Sequence, residues 1–230
     1  WVVVIHGHGS RGAQLFTRPD IRDLWLPCLR NHRFNILTPD LRGNAWMSPA
    51  AVADCAALVA HLRQRCGARR ILFASGSMGG TSNLIYATLR PQDVDGVVAL
   101  CPATDLANYH RWASDRATAL AVLGDIAAAI ASAYGETAES DPQVFARHSA
   151  LMNSARLTMP LWIAHGDADA IIPVEQSRAL MAQFAGRAVS YREIAGGDHE
   201  APIALMPDAI AWMLDAWRTD AGSDGRSRSA

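Results

Sequence analysis

An α/β fold, a doubly wound and mostly parallel sheet with helices on both faces, is what this sequence predicts, and three observations carry the prediction. Six short runs rich in β-branched and apolar residues alternate with segments of helical periodicity. Several of these runs are continuously apolar rather than alternating, as strands buried on both faces of a parallel sheet are. The chain has 230 residues, 50% of them hydrophobic, enough for one large domain to bury the core such a sheet requires.

Taken in order, the first strand is expected over residues 2–6, followed by a helix over 21–31 and a second strand over 34–38. The next helix, over 49–64, carries Val52, Cys55, Ala56, Val59 and Leu62 at three- and four-residue steps, with Ser48 as N-cap and Pro49 at the first helical position. A third strand over 70–74 runs into a serine- and glycine-rich turn and a helix over 78–89, and a fourth strand follows over 94–101. From about 103 to 159 no strand signal occurs. Alanine-rich helical stretches, as over 116–134, alternate there with turn-like sequence such as GETAESDPQ, and an insertion of this kind is expected to cap the site formed by the strand ends. Strands over 161–165 and 189–194 and helices over 174–184 and 203–218 complete the pattern. A single domain is thus expected over 1–219. The Gly/Ser/Arg-rich end, 220–230, reads as a flexible tail.

Composition excludes several classes of function. All 21 basic side chains counted as Lys+Arg are arginine, so Schiff-base chemistry, a pyridoxal lysine and a phosphate loop ending in lysine are unavailable. Net charge is −1 with both signs dispersed, which gives no footprint for nucleic acid. No apolar run is long enough to span a bilayer and no signal peptide is visible. The chain begins at Trp1 inside an apolar run, so a soluble protein is expected, its compartment left open, with secretion after removal of a signal segment as one reading. Cys28, Cys55, Cys66 and Cys101 form no C-x-x-C pair and read as free thiols, with Cys28–Cys55 or Cys55–Cys66 as the pairings to consider.

In open α/β sheets the ligand site lies outside the carboxyl ends of the strands, so the residues just after each strand belong together. They are His6-Gly7-His8-Gly9-Ser10, Pro39-Asp40-Leu41-Arg42-Gly43, Ser75-Gly76-Ser77-Met78-Gly79, His165-Gly166-Asp167-Ala168-Asp169 and Gly196-Gly197-Asp198-His199-Glu200. A serine hydroxyl is a weak nucleophile unless an oriented base takes its proton, and these loops offer Ser, Asp and His in that order. A nucleophile on a sharp strand-to-helix turn requires small residues two positions to either side. Ser75 and Gly79 meet that requirement around Ser77, Phe73 fails it around Ser75, and Ser82 falls on the following helix. Ser77 is the expected nucleophile. Asp169 is the expected acid, with Asp167 and Asp105 as competitors, and His199 is the one histidine between the last strand and the last helix.

The set HGHGS, PDLRG, GSMGG, HGDADAIIP and GGDH resembles an α/β-hydrolase domain, closest to its esterase and prolyl-oligopeptidase-like branches, over roughly residues 1 to 218. The resemblance implies a compact hydrolase fold lacking the opening strands, with Ser77 as nucleophile, Asp169 as acid and His199 as base. It also implies an oxyanion hole formed by the backbone N–H groups of Met78 and His8. It departs from G-x-S-x-G at Ser75, where smallness is the expected requirement. Trp46, Trp112 and Ile171 are candidate walls of the substrate pocket, His6 and His165 are expected to bond local backbone, and Asp40 with Arg42 to brace its loop as an ion pair.

No cofactor is expected. A metal reading of His6-x-His8 needs a carboxylate at position 10, which is Ser10, so no metal is expected either. The resulting expectation is a serine carboxylesterase acting on short-chain acyl esters of small molecules, with no nucleic-acid partner and the oligomeric state open. The alternatives are a prolyl-oligopeptidase-like peptidase and a silent hydrolase-fold binding domain.

Overall fold

The structure is a computed structural model that describes residues 1–135, 137–184 and 189–224. All six expected strands form one sheet: β1 (Val2–Val3), β2 (Ile36–Leu37), β3 (Leu72–Gly76), β4 (Gly96–Leu100), β5 (Leu161–Gly166) and β6 (Val189–Ile194). Their order is β2-β1-β3-β4-β5-β6, and every neighbouring pair is parallel. The sheet reverses direction of growth at β1, which brings the ends of β1 and β3 together, and ligand sites of open α/β sheets lie at such a reversal.

The helices are α1 (Gln14–Thr17), α2 (Pro19–Asn31), α3 (Pro49–Arg65), α4 (Met78–Leu89), α5 (Leu106–Asp115), α6 (Ala121–Tyr134), α7 (Pro142–Arg147), α8 (Glu175–Met181) and α9 (Met206–Asp224). Alternate strand residues feed two separate cores. Val3, Ile5, Ile71, Phe73, Val97, Ala99, Leu161 and Ile163 pack with α3, α4 and the helices between β4 and β5. Val2, Val4, Leu72, Ala74, Val98, Leu100, Trp162 and Ala164 pack against α2 and α9. The period of two thus sends apolar residues to both faces, which is why the strands read as continuous apolar runs.

Most expected elements recur with shifted ends, and each shift has a local cause. β1 was expected to reach residue 6, but its ladder stops early because the Ile5 N–H donates to Ser75 Oγ at 2.8 Å. β2 starts late because the Phe34 N–H bonds the Leu29 carbonyl at the end of α2, at 3.0 Å. β4 ends at Leu100 because Cys101 takes φ +41°, outside the extended region. Ser48 precedes α3 as expected, but its side chain makes no capping bond; its carbonyl accepts from Val52 N at 2.9 Å.

Between β4 and β5 the described residues contain α5, α6 and α7 and no strand. α5 and α7 start on true N-caps, Asp105 accepting from Asn108 N and Asp141 from Val144 N, each at 3.1 Å. α6 buries Leu123, Ile126, Ala127, Ile130 and Tyr134 at helical spacing and stops at Gly135, φ +72°. α9 continues to Asp224, past the expected end at 218, so the first five residues of the expected tail are helical; 225–230 lie outside the described residues. No helix among the described residues is long and apolar enough to cross a membrane.

Candidate active site

The turn from β3 into α4 sets the site. Ser77 holds φ +57° and ψ −128°, a conformation rarely adopted by residues with a side chain, and stands immediately before the first residue of α4. The turn is possible because the neighbouring chain comes close. A Cβ on Gly79 would overlap the Ile5 carbonyl and lie 2.8 Å from Ser75 Cβ, and one on Gly80 would lie 2.9 Å from the Leu100 carbonyl oxygen. Smallness at position 79 is therefore a steric demand, as expected. Ser75 does more than stay small. It is fully buried, and its hydroxyl supplies the acceptor that Ile5 N–H needs.

Ser77, His199 and Asp169 form one hydrogen-bonded chain. Ser77 Oγ lies 2.9 Å from His199 Nε2, and His199 Nδ1 lies 2.7 Å from Asp169 Oδ2. The Asp169 side chain is fully buried, and its other oxygen, Oδ1, accepts from Ile171 N at 2.8 Å and Ile172 N at 2.9 Å. The competitors are occupied elsewhere: Asp167 Oδ1 accepts from Gly196 N at 2.6 Å, and Asp105 caps α5.

Burial by itself would raise the Asp169 pKa; the hydrogen bonds from His165 and His199 outweigh it and hold the carboxyl well below the ordinary range. For His199 burial disfavours the charged ring, but the neighbouring Cys101 sulfur and the Asp169 carboxylate bring its pKa above that of an ordinary histidine. We assign most of that rise to Asp169, because a neutral thiol carries no charge to stabilise an imidazolium.

Two backbone N–H groups, those of His8 and Met78, have no hydrogen-bond partner among the described residues. In the loop after β1, the amides of Gly7, Gly9 and Gly12 donate to Gln14 Oε1, Asn44 Oδ1 and Asp40 Oδ1, and that of Ser10 to the Gly7 carbonyl. The N–H of His8 has no partner among the described residues, nor does that of Met78, the first residue of α4, where helix geometry leaves a donor free. His8, Gly76 and Ser77 line the same cavity.

That cavity has a volume of about 250 Å³, and Ser77 and His199 open onto it. Ile5, Ile21, Trp25, Leu100, Val122, Ile126, Ile171 and Ile203 supply its apolar wall, and Gln14, Arg18 and Glu200 its polar part. Ile171 is a wall residue as expected, but Trp46 and Trp112 are not. Trp46 is buried in the core under His8, its indole N–H 3.4 Å from His8 Nδ1, and Trp112 stacks on Tyr109 beneath Arg116. These two indoles supply packing instead, and the cavity is walled by Val122 and Ile126 of α6 and by Ile21 and Trp25 of α2.

Other expectations change as well. Arg42 pairs with Asp54 on α3, not with Asp40, which instead holds Gly12 N. His6 bonds the Gly7 and Asp40 carbonyls as expected. His165 bonds the Ile172 carbonyl as expected, but also reaches Asp169 and Ser177. All four cysteines are free, Cys66 on the surface and Cys55 buried with its thiol pushed up to about 12 by burial. Among the described residues, one trio of metal-ligating types lies close together, Cys101, Asp169 and His199, within 4.8 Å. Its donors are already engaged: Asp169 and His199 with each other, and Cys101 Sγ with the His199 carbonyl at 3.4 Å.

A serine on a strained elbow and an imidazole held by a buried carboxylate, both opening onto a cavity, are the parts a hydrolase site needs. The chain belongs to the alpha/beta hydrolase family, whose profile matches residues 2–211, and it is an enzyme of the serine hydrolase class. Solved structures with the same fold include a monoacylglycerol lipase from Paleococcus ferrophilus, 17% identical, TM-score 0.62, with 94% of each chain covered. Est1E from Butyrivibrio proteoclasticus is 18% identical with TM-score 0.68, covering 94% of this chain and 88% of that one. An S-formylglutathione hydrolase from Agrobacterium tumefaciens is 15% identical with TM-score 0.66, covering 94% and 83%. A search of curated proteins by sequence gave no match.

Proposed function

We propose that the protein is a carboxylic-ester hydrolase acting on short-chain acyl esters through a Ser77–His199–Asp169 triad. The observation that carries this reading is the continuous hydrogen-bonded chain from Ser77 Oγ through His199 to the buried Asp169 carboxylate, opening onto a cavity that His8 also lines. His199 Nε2 takes the Ser77 proton as Oγ attacks the ester carbonyl, and Asp169 holds the ring with Nδ1–H toward itself and stabilises the imidazolium. The developing oxyanion is received by the N–H groups of Met78 and His8, each donor contributing roughly 10²–10³ in rate. His199 then protonates the departing alcohol, and the acyl group stays on Ser77 until water, activated by the same imidazole, releases the acid.

The short-chain preference is supported by the cavity, whose volume of about 250 Å³ falls below the usual range of ~300–1,000 Å³ for ligand pockets. Val122 and Ile126 of α6 are among the aliphatic residues that bound it. Structural neighbours named as a monoacylglycerol lipase and a carbohydrate esterase agree with ester chemistry.

The test is a panel of p-nitrophenyl esters from acetate to palmitate, with aminoacyl-p-nitroanilides and a fluorophosphonate probe. Activity confined to the short esters, and lost with the probe adduct in Ser77→Ala, is expected. Turnover of the anilides in preference to the esters favours a peptidase, and an unlabelled wild-type protein a silent binding domain. Full hydrolysis by Ser77→Ala sinks the assignment.

A further inference from the structure

Asp169 Oδ2 has a second imidazole on it. His165, four residues earlier at the end of β5, is fully buried, and its Nε2 lies 3.2 Å from Asp169 Oδ2 and 2.8 Å from the Ile172 carbonyl. Both atoms can only accept, so Nε2 must carry a hydrogen; a lone pair there would face two oxygens. Nδ1 lies 2.7 Å from Ser177 Oγ on α8, also fully buried. With Ser177 O–H donating to Nδ1, the ring is the Nε2–H tautomer, its hydrogen shared between Ile172 and Asp169.

The first turn of α8 is held firmly enough to set that tautomer. Gln176, beside Ser177, accepts from the N–H groups of Thr104 and Asp105 at 2.9 and 2.8 Å, at the root of the segment between β4 and β5. The other titratable groups around Asp169 are His199, Cys101 and Tyr109; Cys101 bonds the His199 carbonyl, and Tyr109 O–H donates to the Ile171 carbonyl at 3.1 Å. Among these, His165 and His199 share one carboxylate oxygen.

We propose that His165, its tautomer fixed by Ser177, is a positioning residue that donates through Nε2–H to Asp169 Oδ2, fixing the carboxylate and withdrawing part of its charge from His199. The idea rests on the triad reading above. Withdrawing charge limits how strongly Asp169 raises the basicity of His199, so the ring can lose its proton again. His165 lines none of the cavity, so substrate affinity does not depend on it.

Two near-isosteres separate this role from packing. Asn places its amide nitrogen where Nδ1 sits, facing Ser177, and leaves Asp169 without the donor; Gln reaches the Nε2 position. His165→Asn is expected to lower kcat by about 10–100-fold, the usual cost of losing an orienting partner one shell out, with KM unchanged and the acid limb of the pH profile moved to higher pH. His165→Gln is expected to restore both. An independent arm needs no activity: nitrogen-15 NMR of the imidazoles in the intact protein should show His165 as the neutral Nε2–H tautomer, and Ser177→Ala should mix the tautomers.

The proposal is overturned by wild-type kcat and pH profile in His165→Asn, by equal impairment in Asn and Gln, or by an Nδ1–H or doubly protonated His165. If Ser77→Ala keeps full hydrolysis, the function reading falls instead, and the tautomer measurement still decides what holds Asp169.

Discussion

Ser75→Ala tests whether position 75 must merely be small. Alanine keeps the bulk at Cβ low, so a purely steric account predicts no effect. The structure predicts otherwise, because Ser75 Oγ is the acceptor for Ile5 N–H at 2.8 Å, and neither residue is exposed by more than 3%. Without it, a backbone donor is left buried and unpaired, which costs about 1–3 kcal/mol. In a domain of this size each kcal/mol lowers Tm by about 2–4 °C, so a fall of several degrees is expected. Ser75→Gly should fall further, by roughly another 0.5–1 kcal/mol for the added freedom of the unfolded chain.

Activity in Ser75→Ala should drop by less than in Ser77→Ala, because Gly79 and Gly80 still let α4 approach Ile5 and Leu100 and so keep the elbow shut. The measurements are reversible urea unfolding and a thermal melt by circular dichroism, with ester hydrolysis alongside. Wild-type stability in Ser75→Ala would refute the reasoning, since the serine would then be a spacer and the Ile5 N–H bond of no consequence. Ser75→Thr offers the converse check: the hydroxyl returns, but its methyl enters a site already closed by Gly79.

The remaining predictions concern the elbow and pH. Gly79→Ala should prevent folding or abolish ester hydrolysis, since the new Cβ overlaps the Ile5 carbonyl; soluble, active protein would count against the close approach. For activity, His199 must be neutral, and its pKa is raised, so kcat/KM should rise through an acid limb above the ordinary histidine value of about 6.5. Asp169→Asn should move that limb down while lowering kcat. For stability the signs run the other way for the two partners. Asp169, held low, contributes above its unfolded value near ~3.9 and loses that contribution as pH falls. His199, held high, contributes below about 6.5 and loses it as pH rises. The pair should stabilise the fold most between those values, below the pH range in which it works, and Tm of wild type against His199→Gln from pH 3 to 9 measures the offset.

The sheet was legible because its interior strands bury both faces: a run such as Val97 to Leu100 has nowhere polar to turn, and four such runs with two edge strands, in alternation with helical segments, leave few topologies. Ends were less legible, because what ends these strands is not local. β1 stops where a hydroxyl 70 residues later takes the Ile5 N–H, and β3 runs on through Ser75 and Gly76, residues with poor strand propensity, because β4 pairs with them. The short α1 and the early start of α2 carried no periodic signal of their own, and Trp46 and Trp112 read as pocket walls because an aromatic residue reads alike in sequence whether it faces a cavity or a core.

In the candidate site, the groups proposed to react were legible and their supports were not. Ser77, Asp169 and His199 each follow a strand, so topology alone brings them to one edge of the sheet, and residue type does the rest. The supports answer to other constraints. Gln14 and Asn44 hold the amides of Gly7 and Gly9 on either side of the unpartnered His8 N–H, yet nothing in their neighbourhoods marks them. Ser177 sits mid-pattern on an ordinary amphipathic helix. What distinguishes it is the burial of its hydroxyl against His165, a consequence of where α8 crosses β5. Such polar atoms become visible only when the fold removes water from around them, because a buried donor then has to find its acceptor within the protein. The same requirement binds the supports to the reacting groups: with two backbone N–H groups on Oδ1 and two rings on Oδ2, the Asp169 carboxylate has little freedom to rotate, and His199 inherits its orientation from that saturation.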